Sequence, residues 1–488
     1  MAKGEQFTSR WGLIVAGLGM AVGTGSMWRF PRVAAQYGGA AFLVPWIIFL
    51  FLWSVPLLIA EFSIGRYTRR GVVGAFTRLA GAGYTWMGSF MALATCMILF
   101  YYSVVTGWTL KYLLVSVTGT LRNSPPAEYW NSFTASGWEP ILWHVAAALL
   151  SAYIIGRGVV RGIEAANKIL VPVLFFMLLI AAIRAITLPG AARGLEFFFN
   201  PDFAPLGNPR TWLEALAQSA WSTGAGWGLL LTYGVYARKR EDTVVNSSIM
   251  GFGVYTCSML AGLAVIPTAF AFLSTEEAMQ AMASGNQGLM FIWIPQLLYQ
   301  MPGGGFFFFA FMVAVVFAAI SSIIAMFELA VRVLMDTGIP RRRALVLVTT
   351  ATIMLGLPSA LNMGAFDNQD FVWGQGLTLS GLFISLAASR FGSRLFREKL
   401  VNVAGNDLNV GRVFEFILKY VVPAELGVMF IWWFKQALAD DPAGWWNPFH
   451  SFSLGTCLIQ WAIAVALLLI FNRRIGTASL RATEEEGE

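Results

Sequence analysis

Arg29, Glu61 and Glu328 each lie inside a long apolar run of the sequence. An ionisable side chain near a bilayer centre costs about 2.5 to 3.5 kcal/mol on insertion scales, so each must face a partner or a water-filled path. Asp370 is the natural partner for Arg29: the two either close a gate above a central site or form a structural ion pair. Glu61 is suited to accept hydrogen bonds from N–H groups freed by a break in a neighbouring helix. The glycine-broken stretch Ala21, Val22, Gly23, Thr24 and Gly25 exposes carbonyls that suit a hard cation. It also frees N–H groups around Thr24 and Gly25, where the positive end of the following half-helix favours a carboxylate. Ser321 and Ser322, with Ala318 one turn earlier, either complete a sodium-sized oxygen cage or bond back to the preceding turn. This is the chemistry of binding and passage. His144 and His450 are the only histidines, and no nucleophile-and-base or metal-ligand arrangement is visible, so an enzyme is not expected.

The elements that must position these residues are membrane helices. Of 488 residues 57% are hydrophobic and 12% charged, against roughly a quarter charged in a soluble domain. Apolar runs of spanning length predict an all-α polytopic membrane protein of about twelve helices, at 11–35, 40–66, 84–116, 140–156, 166–188, 211–236, 243–271, 303–335, 344–361, 371–389, 413–437 and 450–471. Drawn this way, the connections alternate in charge. Arg10, Arg66, Arg69, Arg70, Arg78, Arg157, Arg161, Lys168, Arg238 to Arg240, Arg341 to Arg343, Arg390 to Lys399, Arg412, Arg473 and Arg474 share one side, which places both termini in the cytoplasm and the chain in the inner membrane. These clusters are short loops and not one basic face, so the net charge of +7 reports orientation among lipids and no nucleic-acid partner. Cys96, Cys257 and Cys457 lie in apolar segments and read as packing. The start lacks a small-residue cleavage site, so the first helix is expected to remain.

The helices most interrupted by glycine are the first (Gly17, Gly19, Gly23, Gly25) and the sixth (Gly224, Gly226, Gly228). Glycine costs about 1 kcal/mol against alanine in a helix interior, so the clusters mark either breaks around a ligand or close helix packing. Their corresponding positions favour a 5+5 inverted repeat, 11–188 and 211–389, followed by two additional helices at 411–472. Residues 274–300 read as short helices over the outer surface, forming a lid or an ordinary packed loop.

Read in order, the run AVGTGSMWRFP from Ala21 to Pro31, the run from Tyr37 to Phe42, EFSIGRY from Glu61 to Tyr67, Tyr101 with Tyr102, Trp108 to Leu110, Ala319 to Ser322, Glu328 and Asp370 resemble the neurotransmitter:sodium symporter family. The resemblance covers essentially the whole chain and implies a leucine-transporter-like fold working by alternating access. It implies a second-type sodium site from the carbonyls of Gly19, Val22 and Ala318 with the hydroxyls of Ser321 and Ser322. Substrate is implied beside Gly23, Thr24, Gly25, Tyr102, Trp221, Gly224, Trp227, Ser322 and Met326, with Tyr102 donating to a carboxylate. Arg29 and Asp370 are the implied outer gate, and Asp336 belongs to the inner one. Where amine transporters of the family carry aspartate, Gly23 leaves room for a substrate carboxylate, which points to a small amino acid.

Departures from the family pattern are specific. At the first-type sodium site, which includes the Ala21 carbonyl, the two asparagine positions are Ser26 and Val254 and the hydroxyl position is Ser222. One sodium ion per substrate is therefore the expectation. Gln218, Ser222 and Ser258 match part of the family's chloride site, but Trp46 stands for its tyrosine and Val254 for its asparagine, so the sequence does not establish chloride as a ligand. The basic partner of Asp336 aligns near Gly4, with Lys3 beside it as a substitute. The alternatives are a transporter of another small organic solute or amine with altered ion coupling, and a non-transporting amino-acid sensor. Oligomeric state is not encoded legibly.

Overall fold

The computed structural model describes residues 6–200 and 202–481, and all the regular secondary structure in this region is helical. Eight continuous helices are long and apolar enough to cross a membrane: Ala40–Thr68, Ala82–Thr118, Trp138–Gly156, Val159–Ile186, Thr243–Phe272, Gly304–Met335, Arg341–Leu361 and Met363–Phe391. Two bent pairs bring the number to ten: Arg10–Ala21 with Gly25–Gln36, at 59°, and Leu454–Ile470 with Asn472–Ala478, at 65°. The remaining two expected spans are also helical. One is divided into Pro209–Thr223 and Leu229–Val235, each shorter than a bilayer. The other, continuous from Arg412 to Asp440, carries Lys419, Glu425 and Lys435 along its length.

Ala82–Thr118 and Gly304–Met335 are the most buried spans and stand at the centre, while Trp138–Gly156 and Val159–Ile186 bury about a third of their apolar windows and lie outside. The central position of Gly304–Met335 is what allows Ser321, Ser322, Glu328 and Arg332 to be buried together on one helix.

Helix starts follow side-chain caps. Asp242 accepts from the N–H groups of Val244 and Val245, at 2.8 and 2.9 Å, and Ser274 forms a reciprocal capping box with Glu277. The 274–300 region is helical as expected, over Thr275–Ala283 and Gly285–Tyr299. One boundary differs by two turns: the helix expected at 371 begins at Met363, where Asn362 accepts from the Ala365 N–H at 3.0 Å. The polar run Asp367 to Asp370 resembles a loop in sequence, yet Asn368, Gln369 and Asp370 are satisfied by the Ser451 carbonyl, Ser359 and Tyr101. Asp370 therefore lies two turns into this helix and not at its end.

Candidate functional site

Helix Arg10–Ala21 stops where Val22 leaves helical geometry (φ −75°, ψ 83°), and regular backbone resumes at Thr24. The Tyr102 hydroxyl oxygen accepts from the Thr24 N–H at 3.1 Å and from the Thr24 hydroxyl at 3.2 Å. Its own proton thus remains available to another acceptor. A Cβ added at Gly23 would lie 3.1 Å from Ser322 Oγ and 3.2 Å from the Tyr102 hydroxyl. Three elements therefore converge on a point where a side chain at position 23 would press on two hydroxyls, and where the Tyr102 hydroxyl proton is free to be donated.

The second break runs through Gly224, Gly226 and Gly228, whose φ values of +65°, +98° and +77° are left-handed and disfavour any residue with a Cβ. Gly226 also packs against Gly381, whose N and Cα would each lie 3.1 Å from an added Cβ. Glu61, fully buried, accepts from the freed N–H groups of Gly226 at 2.6 Å and Leu231 at 3.3 Å. The Thr95 hydroxyl donates to the Trp227 carbonyl at 2.9 Å. The break is thus held from two neighbouring helices, with its backbone groups paired.

Between the two breaks lies a cavity of about 210 Å³. Gly23, Tyr102, Ser322 and Met326 line one end, and Arg29, Arg32, Asn286 and Asp370 line the other. Trp221 and Trp227 form a wall, packed edge to face at 5.3 Å, and space at Gly25 and Gly224 is open. Asn286 also joins the 274–300 region to the site by accepting from Arg32 at 3.1 Å.

Oxygen atoms of two helices meet beside this cavity. Ser322 Oγ lies 3.4 Å from the Gly19 carbonyl and 3.1 Å from that of Met20, and Ser321 Oγ lies 3.0 Å from the Ala318 carbonyl. With the Val22 carbonyl at the break, these are neutral hard donors of the kind that suits an alkali cation. The first-type positions look different. Ser26 is buried and its hydroxyl has no partner among the described residues, Ser222 donates back to the Gln218 carbonyl at 2.7 Å, and Val254 brings no oxygen. Nearby, Tyr255 stacks on Trp46 at 3.8 Å and joins Ser219, Ser54 and Thr223 in a chain of hydroxyls at 2.7 to 2.8 Å. Trp46 Nε1, Gln218 Nε2 and Ser258 Oγ are buried without partners among the described residues.

The expected ion pair of Arg29 with Asp370 is not formed. Arg29 donates to Gln218 at 2.5 Å and to Glu214 at 3.4 Å, whereas Asp370 accepts from the Tyr101 hydroxyl at 2.8 Å. Glu214 and Gln218 lie one turn apart on Pro209–Thr223 and take the two terminal guanidinium nitrogens. Glu214 is the residue that sequence reasoning missed, although a carboxylate inside the 211–236 span is itself a signal.

On the face that carries the basic loops, Glu328 pairs with Arg341 at 2.6 Å and accepts from the Tyr236 hydroxyl at 2.5 Å. Asp336 pairs with Arg332 at 2.9 Å and accepts from the Gly71 N–H at 2.6 Å; Lys3 lies outside the described residues. Burial pushes the Asp336 carboxyl above its usual range, against the pull of Arg332 and Arg70. Thr8 donates to Glu164 through its N–H at 2.8 Å and also through its hydroxyl, and Phe7 N–H donates to the Tyr236 carbonyl at 3.1 Å. Arg10 reaches Asn246 at 2.7 Å and Asp407 at 2.6 Å.

Comparison with known proteins follows this geometry. A model of the "Sodium:neurotransmitter symporter family" matches residues 4–139 and 131–476. An uncharacterised sodium-dependent transporter of Methanocaldococcus jannaschii is 30% identical over 95% of this chain and 97% of its own length. The sodium- and chloride-dependent GABA transporter 2 of Bos taurus is 26% identical over 82% of this chain and 75% of its own. Among solved structures, that of MhsT in complex with L-phenylalanine superposes with a TM-score of 0.77 at 30% identity, covering 88% of this chain and 99% of that one.

Proposed function

Because the chain belongs to the sodium:neurotransmitter symporter family, whose members are sodium-dependent membrane transporters, we propose that it takes up a small zwitterionic amino acid together with one sodium ion. The observation that carries this reading is the convergence at Gly23. The hydroxyls of Tyr102 and Ser322 lie closest to the open side of Gly23, beside the N–H end of the half-helix at Thr24 and Gly25. A substrate carboxylate there accepts the Tyr102 proton and meets the positive helix end. Its side chain then lies between Trp221, Gly224, Trp227 and Met326. The similarity to a transporter structure containing L-phenylalanine supports an amino acid of that general chemistry.

Sodium binds, in this reading, among Gly19, Val22, Ala318, Ser321 and Ser322. The first-type site of Ala21, Ser26 and Ser222 lacks a side-chain oxygen at Val254 and is not used. Trp46, Gln218 and Ser258 carry buried donors without partners among the described residues, and no chloride requirement is proposed. The basic face is cytoplasmic, with both termini on that side of the inner membrane. Glu61 holds the break in the second half, 211–389, as the two inverted halves rock about the site. Arg29 and Asp370 close the outer gate by pairing once substrate is bound, and Asp336 belongs to the inner gate.

A transporter of another organic solute is the second reading, favoured by the loss of the first-type oxygen at Val254. Equilibrium binding of a labelled amino-acid and amine panel to purified protein, in sodium and in potassium, separates the two. Saturable, sodium-dependent binding of a neutral amino acid is expected. Preference for amines without a carboxylate, or binding indifferent to sodium, contradicts the proposal.

A further inference from the structure

Asn167 stands in the first turn of the Ala165–Ile186 helix and is fully buried. Its amide is oriented by one hydrogen bond, Nδ2 donating to the Ile163 carbonyl at 2.9 Å. The opposite rotamer would set Oδ1 against the Ile163 carbonyl, oxygen to oxygen, which assigns Nδ2 to the Ile163 side. Oδ1 then points away from its own helix, and among the described residues it has no donor. Buried acceptors in folded proteins are nearly always satisfied, and one that is not calls for a water, an ion or a ligand.

What Oδ1 faces is specific. A Cβ added at Gly19 would overlap Asn167 Oδ1 and lie 3.0 Å from both Asn167 Cγ and Ser321 Cβ. The amide oxygen therefore sits where the backbone of Gly19 meets Ser321. Neither neighbour satisfies it: the Ser321 hydroxyl donates to Ala318, and the Ser322 hydroxyl is directed to the Gly19 and Met20 carbonyls.

We propose that Asn167 Oδ1 is a sixth oxygen ligand of the sodium ion held by Gly19, Val22, Ala318, Ser321 and Ser322. This rests on the sodium-coupled reading above. An amide carbonyl is a neutral hard donor of the same class as the three backbone carbonyls, and it brings the Val159–Ile186 span into a site otherwise built from the first span and Gly304–Met335. It also accounts for glycine at position 19, since any side chain there displaces the ligand.

The test is sodium-dependent thermal stabilisation of the purified protein, titrated against potassium at constant ionic strength, for wild type, Asn167→Ala, Asn167→Leu and Asn167→Asp. Loss of the oxygen in Asn167→Ala and Asn167→Leu raises the sodium concentration for half-maximal stabilisation about tenfold, while melting in potassium stays near that of wild type. Asn167→Asp keeps an oxygen and adds charge, so it binds sodium at least as tightly as wild type; this arm stands if the other variants fold poorly. Half-maximal concentrations within twofold of wild type for Asn167→Leu, or weakened sodium binding in a well-folded Asn167→Asp, overturn the proposal. A wild type indifferent to sodium overturns the underlying sodium reading as well, and is recognised by that control alone.

Discussion

The two faces of the broken first helix are held in opposite ways. On the basic face its start is fixed through Phe7, Thr8 and Arg10 to four other parts of the chain, at Tyr236, Glu164, Asn246 and Asp407, and the layer above is closed by Glu328, Arg341 and Tyr236. On the other face, Arg29 and Asp370 line a shared cavity but are satisfied separately, by Gln218 with Glu214 and by Tyr101. The same cavity continues down to Tyr102 and Ser322. The basic face is closed by buried, mutually satisfied polar groups, whereas across the cavity Arg29 and Asp370 are each paired separately with a neighbour. In the proposed mechanism, sodium at the junction of Gly19 and Ser322 lies between the two faces and biases one against the other.

The largest effect is expected from breaking the basic face. Glu328→Ala removes the buried carboxylate shared by Arg341 and Tyr236, a loss of about 3 kcal/mol, and should expose a cysteine introduced at Ser247, buried next to the Arg10 partner Asn246, to polar thiol reagents many-fold faster. An unchanged labelling rate means that this layer does not hold the face shut. Glu61→Gln sharpens the comparison at its pivot. A neutral amide replaces charge-assisted bonds to Gly226 and Leu231, each typically worth about 1.5 to 3 kcal/mol, so substrate binding should fall more than tenfold in an equilibrium assay. Thr8→Ala removes one of two hydrogen bonds to Glu164 and should raise Ser247→Cys labelling only about fivefold, in keeping with roughly 1 kcal/mol. The smallest change is expected on the face that carries Arg29 and Asp370. Glu214→Gln weakens the alternative partner of Arg29, favours its pairing with Asp370, and should slow substrate release by about twofold to threefold; faster release would show that Glu214 assists closure.

Much of this was legible in the residue order. Paired glycine clusters marked both breaks, because helix interiors rarely tolerate such runs, and the buried cost of Glu61 implied the freed N–H groups it now accepts. What sequence could not supply was competition between partners. Arg29 had a conspicuous candidate in Asp370, yet Glu214 and Gln218 take it, since they stand one turn apart on the helix that faces it. Similarly, the polar run before Phe371 reads as a loop until the Asn362 cap and the inward partners of Asn368, Gln369 and Asp370 are seen. Asn167 carried no sequence signal, because only its burial and missing donor distinguish it.

The central claim, that sodium held at Ser322 drives amino-acid movement, is tested most directly by uptake into proteoliposomes under an inward sodium gradient, comparing wild type with Ser322→Ala. Concentrative uptake that requires sodium in the wild type, and is lost in Ser322→Ala while the protein remains folded, is the predicted result. Equal uptake when potassium replaces sodium, or a Ser322→Ala variant as active as wild type at limiting sodium, would contradict it.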